Sequence, residues 1–252
     1  MTGFIYKEFK QNQAFIFLMT IIAVLVIFAP LPMEMSMEKM SLQEAFAGLT
    51  GDGNTIRLFM LILGYVGAGA LQGLTLRGND RKLWAIFTAS TPDGIDGFIR
   101  IKYEMIFAMI VLMAVSCWFF DQLLGAMVYD ITGKEMPSLS SIYIALSFIQ
   151  IFLRAVEIPF VVRFGMKRGS VIKTIILIII TIILSFLVLL NPGGVVEKAV
   201  SIALNIYDTS ISGTDILLLV LWSSPLFALG LYYLSYKISC KLYMKGVEQY
   251  DK

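Results

Sequence analysis

Histidine is missing altogether from the 252 residues. With it go the usual zinc ligand, proton shuttle and neutral-pH general base, and intramembrane proteolysis by a Glu-and-His site is excluded. Cysteine is scarce. Cys117 lies in an apolar run and Cys240 follows the last such run, so neither a disulfide nor a Cys-based metal site is expected. Charged residues make up only 15% of the chain, against about 25% in a soluble domain. The net charge of +2 is too small to suggest a nucleic-acid partner. No G-x-x-x-x-G-K-[ST] phosphate loop occurs, so ATP is not bound in that way. Little equipment for chemistry remains.

What is present is apolar length: 58% of residues are hydrophobic and the mean hydropathy is +0.81. A bilayer core of about 30 Å takes roughly 20 residues at 1.5 Å rise each. Six runs meet that length: Ala14–Pro32, Leu58–Leu76, Met105–Val128, Leu139–Val162, Thr174–Val196 and Ile216–Tyr236. The expected fold is therefore an all-α polytopic membrane protein with six transmembrane helices, forming one transmembrane domain over residues 1–252. The first run, with Lys7 and Lys10 before it, resembles a signal peptide. Pro30 and Pro32 end it without a small-x-small cleavage site, so a retained helix is expected.

Orientation follows from where the basic residues fall. With the N-terminus inside, the cytoplasmic set comprises Lys7 and Lys10; Arg77, Arg81, Lys82, Arg100 and Lys102; Arg163, Lys167, Arg168 and Lys173; and Lys237, Lys241, Lys245 and Lys252. These are 15 of the 20 basic residues. Only Lys39, Arg57, Lys134 and Lys198 fall on the other side, and Arg154 lies within a span. The outer loops carry acids instead, among them Glu34, Asp52, Asp130 and Glu197. Both termini are expected in the cytoplasm.

The connections carry further pattern. Residues 1–12, with Phe4, Ile5 and Phe9 offset from Lys7 and Lys10, read as a short interfacial helix or as an ordinary basic leader. The first outer loop, 33–55, includes a plausible short helix over 36–46, followed by the breaker Thr50-Gly-Asp-Gly-Asn54. Val195–Ile206 is apolar but too short to cross and reads as a helix in the outer leaflet. In the inner loop 77–104, Asn79-Asp80 can cap a helix starting at Arg81. Leu83, Trp84 and Phe87 share one face of it, and Ser90-Thr91-Pro92-Asp93-Gly94 ends it. Such a helix can lie in the interface or form a docking surface for a cytoplasmic protein.

One span is not plainly apolar. Ser140, Tyr143, Ser147, Gln150, Arg154 and Glu157 follow at spacings of 3, 4, 3, 4 and 3, which makes one polar helix face. A charge near the membrane centre costs about 2.5–3.5 kcal/mol on insertion scales, so this face should turn from lipid. It can serve interhelical hydrogen bonding, or it can line a subunit interface or translocation path. Arg154 and Glu157 are placed to pair. Gly69 and Gly73 form a G-x-x-x-G step in the second span, a common close-packing surface.

A proton-coupled carrier would usually place acids or histidines along a midplane path. Only Arg154 and Glu157 are intramembrane here, with Asp121 near an edge, and no inverted repeat is evident. If the chain pumps, its energy comes from another subunit.

Three stretches together resemble the permease subunits of type-2 ABC exporters, in the branch of small bacterial six-helix permeases. The first is the opening Tyr6-Lys7-Glu8-Phe9. The second is Asp80, Trp84, Thr91-Pro92 and Arg100-Ile-Lys102-Tyr103. The third is Pro159 followed by Arg163-Phe164-Gly165-Met-Lys167-Arg168-Gly169. The tail Ser235-Tyr-Lys-Ile-Ser239 with Lys241 and Lys245 is similar too. One departure is Thr91-Pro92 where Leu-Pro is usual, followed by Asp93-Gly94 where a basic residue is often found. The likeness spans the chain and is nearest to exporters of amphipathic cytolytic peptides (phenol-soluble modulins), with bacteriocin-immunity exporters similar.

The resemblance implies a plasma-membrane permease that is not itself an enzyme. It would pair with a second copy or a sister permease and with a separate ATPase carrying ATP and Mg. The implied coupling residues are Asp80, Leu83, Trp84, Phe87, Thr91 and Pro92. Auxiliary contacts fall on Lys7, Glu8, Arg163, Lys167 and Arg168. Ser147, Gln150, Arg154 and Glu157 would line a path or a subunit interface. A peptide-sensing or immunity module and an ATP-independent channel or carrier stay open.

Overall fold

A long apolar segment in lipid must satisfy its backbone internally, and a helix does so within one segment. In a computed structural model, which describes residues 2–32, 46, 49, 53–76, 82–190 and 215–247, all the regular structure is α-helical. The helices are α1 (Thr2–Phe28), α2 (Gly53–Leu74), α3 (Lys82–Ala89), α4 (Gly94–Thr132), α5 (Ser140–Leu190) and α6 (Asp215–Val247). Among the described residues, four helices are long and apolar enough to cross a membrane: Gly3–Pro32, Ile56–Leu74, Gly94–Thr132 and Ser140–Gly165. They coincide with the first four expected spans. The fifth expected span falls on the far part of α5 as far as Leu190, and the sixth falls within α6. The expected helices at 36–46 and 195–206 lie outside the described residues, apart from Phe46.

Residues 2–12 are not set off as a separate helix. α1 runs unbroken for 27 residues, about 40 Å at 1.5 Å per residue, longer than a hydrocarbon core of about 30 Å. α4, at 39 residues, overhangs further.

α5 is two helical arms joined at Gly165, whose φ of 78° and ψ of 168° suit only glycine. Four residues on, a Cβ added to Gly169 would come within 2.7 Å of the Val161 Cα. In a straight helix, residues eight apart are separated by about 12 Å. The second arm therefore folds back sharply on the first.

α1 lies along α4 and α2, and α5 packs against α6, while the backbones of α2 and α5 approach one another little. The buried apolar residues form two clusters. One joins Met19, Ala23, Leu61, Tyr65, Met113, Cys117 and Leu124, with Phe46 and Leu49 tucked beneath it. The other, at the end carrying α3, joins Phe98, Tyr103, Ile106, Ile151, Ile158, Ala228, Tyr232 and Tyr243. Many large apolar side chains lie on the outside as well. Phe17, Leu25, Phe59, Val66, Val115, Trp118, Ile144 and Leu226 are all at least half exposed, Leu226 at 74%. Contiguous exposure on this scale marks a surface made for an apolar medium.

Candidate functional site

Charge inside an apolar bundle must be paired, and the described residues hold three buried ion pairs at three depths. At the α3 end, Lys102 Nζ of α4 donates to Glu8 Oε2 of α1 at 2.7 Å and to the Thr75 carbonyl at 3.0 Å. Asn12 Nδ2 adds bonds to the Glu8 carbonyl at 2.8 Å and to Glu8 Oε2 at 3.2 Å. At the opposite end, Arg57 Nη2 of α2 donates to Asp121 Oδ1 of α4 at 2.7 Å, and its Nη1 to the Pro137 carbonyl at 3.3 Å.

Lys102 and Asp121 are nineteen residues apart on one helix, about 28 Å along the axis. That is close to the thickness of a bilayer core. On the surface of α4 between these levels, the well-exposed residues from Phe107 to Phe119 are all apolar, with Glu104 and Gln122 just beyond them.

The third pair belongs to the polar stripe of α5. Arg154 Nη1 donates to Glu157 Oε2, Nη2 to the Gly69 carbonyl and Nε to Gln72 Oε1. Gln72 Nε2 donates to Gln150 Oε1 at 2.9 Å, and Gln150 Nε2 to the Tyr65 carbonyl at 2.6 Å. Ser147 Oγ donates to the Tyr143 carbonyl and sits 3.3 Å from the Tyr65 hydroxyl. Ser147, Gln150, Arg154 and Glu157 thus face α2 of the same chain. Polar side chains bridge two helices whose backbones stay apart.

The glycines of α2 serve different ends. A Cβ on Gly64 would meet Val26 Cγ2 at 2.2 Å, so Gly64 is where α1 and α2 press together. Gly69 and Gly73 face Arg154 instead, their Cβ positions 3.3 and 3.4 Å from its guanidinium. The G-x-x-x-G step seats an arginine.

A hydroxyl cluster adjoins the Lys102 pair. Ser235 Oγ of α6 donates to the Ala155 carbonyl at 2.6 Å. Its one proton is thus committed, so at 2.6 Å the Tyr103 hydroxyl donates to Ser235 Oγ, and Ser239 Oγ donates to Tyr103 at 2.8 Å. Tyr232 OH donates to the Tyr103 carbonyl at 2.7 Å. Beside them Phe4 meets Phe98 edge-on and Phe98 lies tilted against Tyr243, with centroids 5.9 and 5.8 Å apart.

The expected coupling residues sit at this same end. Phe87 of α3 is 54% exposed, as is Ile86. The Thr91 hydroxyl donates to the Thr88 carbonyl at 2.7 Å, closing α3, and Pro92 is exposed in the turn leading to α4. Asp80 and the side chains of Leu83 and Trp84 lie outside the described residues. Of the auxiliary set, Lys7 is part-exposed beside Glu8 at 3.4 Å. Arg163 stacks on Phe164 at 5.0 Å, Arg168 is exposed, and the Lys167 side chain lies outside the described residues. Glu8 differs from a surface contact: only 1% exposed, it faces Lys102.

Sequence reasoning passed over Asn12, Gln72 and Thr75 as partners, and over the pairings of Lys102 and Arg57. Arg57 and Asp121 carried a signal, since both were placed near the outer side with opposite charge. No group of three or more metal-binding side chains occurs among the described residues. No protein-family model, no curated protein and no solved structure matches the chain.

Proposed function

We propose that the chain is the transmembrane subunit of an ATP-driven exporter of the type-2 ABC kind, moving amphipathic or hydrophobic peptides out of the cell. In this reading it crosses the plasma membrane six times, with both termini and the α3 end in the cytoplasm. It works beside a second copy or a sister permease, above two ATPase subunits that hold ATP and Mg. It carries no ATPase site of its own.

One observation carries the reading. Segments 6–9, 100–103 and 235–239, far apart in sequence, meet at the α3 end, where Glu8 pairs with Lys102 and Tyr103 bonds to Ser235 and Ser239. These are among the stretches on which the resemblance rests. Beside them α3 presents Ile86 and Phe87 outward, an apolar surface suited to a cytoplasmic subunit. Asp80, Leu83 and Trp84 belong to the same coupling element. Because the stripe of α5 is hydrogen-bonded to α2, a polar path would form between two copies.

Co-purification tests the reading. Purified from its native cell, the chain is expected to retain an ATPase subunit, and Trp84→Ala with Phe87→Ala to release it while the purified membrane chain keeps its unfolding temperature. Failure of any ATPase to bind would leave a peptide-sensing or immunity module, or an ATP-independent channel or carrier.

A further inference from the structure

The turn joining α3 to α4 is tightly tied. Ser90 Oγ donates to the Phe87 carbonyl at 2.8 Å, and the Gly94 amide to the Thr91 carbonyl at 3.0 Å. The Gly97 amide reaches back to Asp93 at 3.0 Å, and Thr88 is fully buried. Displacement of α3 is therefore passed to the start of α4 with little slack. Two turns further on stand Lys102 and Tyr103. Consecutive helical residues point about 100° apart, and these two reach opposite halves of the bundle. Lys102 holds α1 through Glu8 and the end of α2 through Thr75. Tyr103 holds α6 through Ser235 and Ser239, and Ser235 in turn bonds to Ala155 of α5.

We infer that Lys102 and Tyr103 form a divided hub that distributes movement of α3, Lys102 to α1 and α2 and Tyr103 to α5 and α6. The inference rests on the reading of α3 as the element a partner moves. It adds the route by which one short helix acts on the whole bundle. Both residues are positioning residues, since neither is placed to touch substrate. The links are cut at different atoms: the first runs through an ion pair and a carbonyl, the second through the Tyr103 hydroxyl, while Tyr232 OH keeps its bond to the Tyr103 carbonyl.

The test uses the full chain in lipid nanodiscs, in a background with Cys117→Ala and Cys240→Ser. Spin labels are placed at exposed positions by Ala89→Cys on α3, Gln13→Cys on α1 and Leu234→Cys on α6. Pulsed electron-spin distances are read for 89–13 and 89–234. The double variant E8Q/K102M, which leaves no lone buried charge, is expected to broaden the 89–13 distribution at least twofold and leave 89–234 narrow. Y103F is expected to do the reverse, and the swap E8K/K102E to restore 89–13. Both distributions staying narrow, or both broadening in each variant, would overturn the hub.

A second arm separates the hub from the exporter reading. With the ATPase bound, E8Q/K102M and Y103F are each expected to raise ATP hydrolysed per peptide moved at least tenfold, whereas an unchanged ratio would overturn the hub. If no ATPase binds, the exporter reading fails and the distance measurements still decide the hub.

Discussion

Glu8 and Lys102 lie 94 residues apart in the sequence and 2.7 Å apart in the structure, both side chains almost wholly buried. Each is a charge that lipid would reject alone. Together with Asn12 and Thr75 they tie the starts of α1 and α4 to the end of α2. The opposite end has its own pair, Arg57 with Asp121, so the apolar belt of the bundle is bounded by ion pairs above and below.

Breaking one partner of the Glu8–Lys102 pair leaves the other buried and uncompensated, at a cost of about 3–5 kcal/mol. Lys102→Met and Glu8→Gln are each expected to lose stability on that scale, and the double variant to lose less than the sum. A double-mutant cycle from unfolding in mild detergent measures this coupling.

The two ends should act independently, because they lie about 28 Å apart along α4. Asp121→Asn is expected to destabilise alone, and its effect should add to that of Glu8→Gln within about 0.5 kcal/mol. The same unfolding measurement checks it. Strong non-additivity would mean that the ends communicate through more than helix packing.

Glycine substitutions along α2 should rank by what their Cβ meets. Gly64→Ala drives a methyl into the stiff, β-branched Val26 at 2.2 Å and is expected to cost about 1–3 kcal/mol. Gly69→Ala meets only the tip of the Arg154 side chain at 3.3 Å and is expected to cost less. Thermal unfolding of the two variants side by side gives the order.

At the reversal in α5, Gly165→Ala forces a side chain into a backbone region reserved for glycine. A loss of about 1–3 kcal/mol is expected. A fluorescence donor–acceptor pair on the two arms should show them opening, while Gly125→Ala, far from the turn, should leave the pair's distance unchanged.

The spacing of Ser140, Tyr143, Ser147, Gln150, Arg154 and Glu157 was legible because helical periodicity is local, and so were the first four spans. The partner of that stripe was not. Gly69 and Gly73 read as a generic packing step, since nothing in α2's own sequence says that its carbonyls receive an arginine from α5. For Glu8 the sequence offered only the auxiliary cytoplasmic contact that the resemblance implies. Its burial depends on Lys102, which only the tertiary fold brings near. Arg57 and Asp121 could be assigned to one side of the membrane but not paired, because topology gives depth and leaves helix neighbours open. The break between the fourth and fifth spans was read from the charges at 163–173, whereas the single residue that turns the chain, Gly165, is fixed by backbone geometry.

The central claim is that a separate ATPase acts through the α3 end to move peptide across the membrane. The chain and its ATPase, reconstituted together in vesicles containing a labelled amphipathic peptide and oriented with the ATPase side outward, test it most directly. ATP with Mg added outside should drive further peptide into the vesicles against its gradient, and Trp84→Ala with Phe87→Ala in the membrane chain should abolish this. Peptide flux that is the same with and without ATP, or no flux from a complex that hydrolyses ATP, would contradict the account.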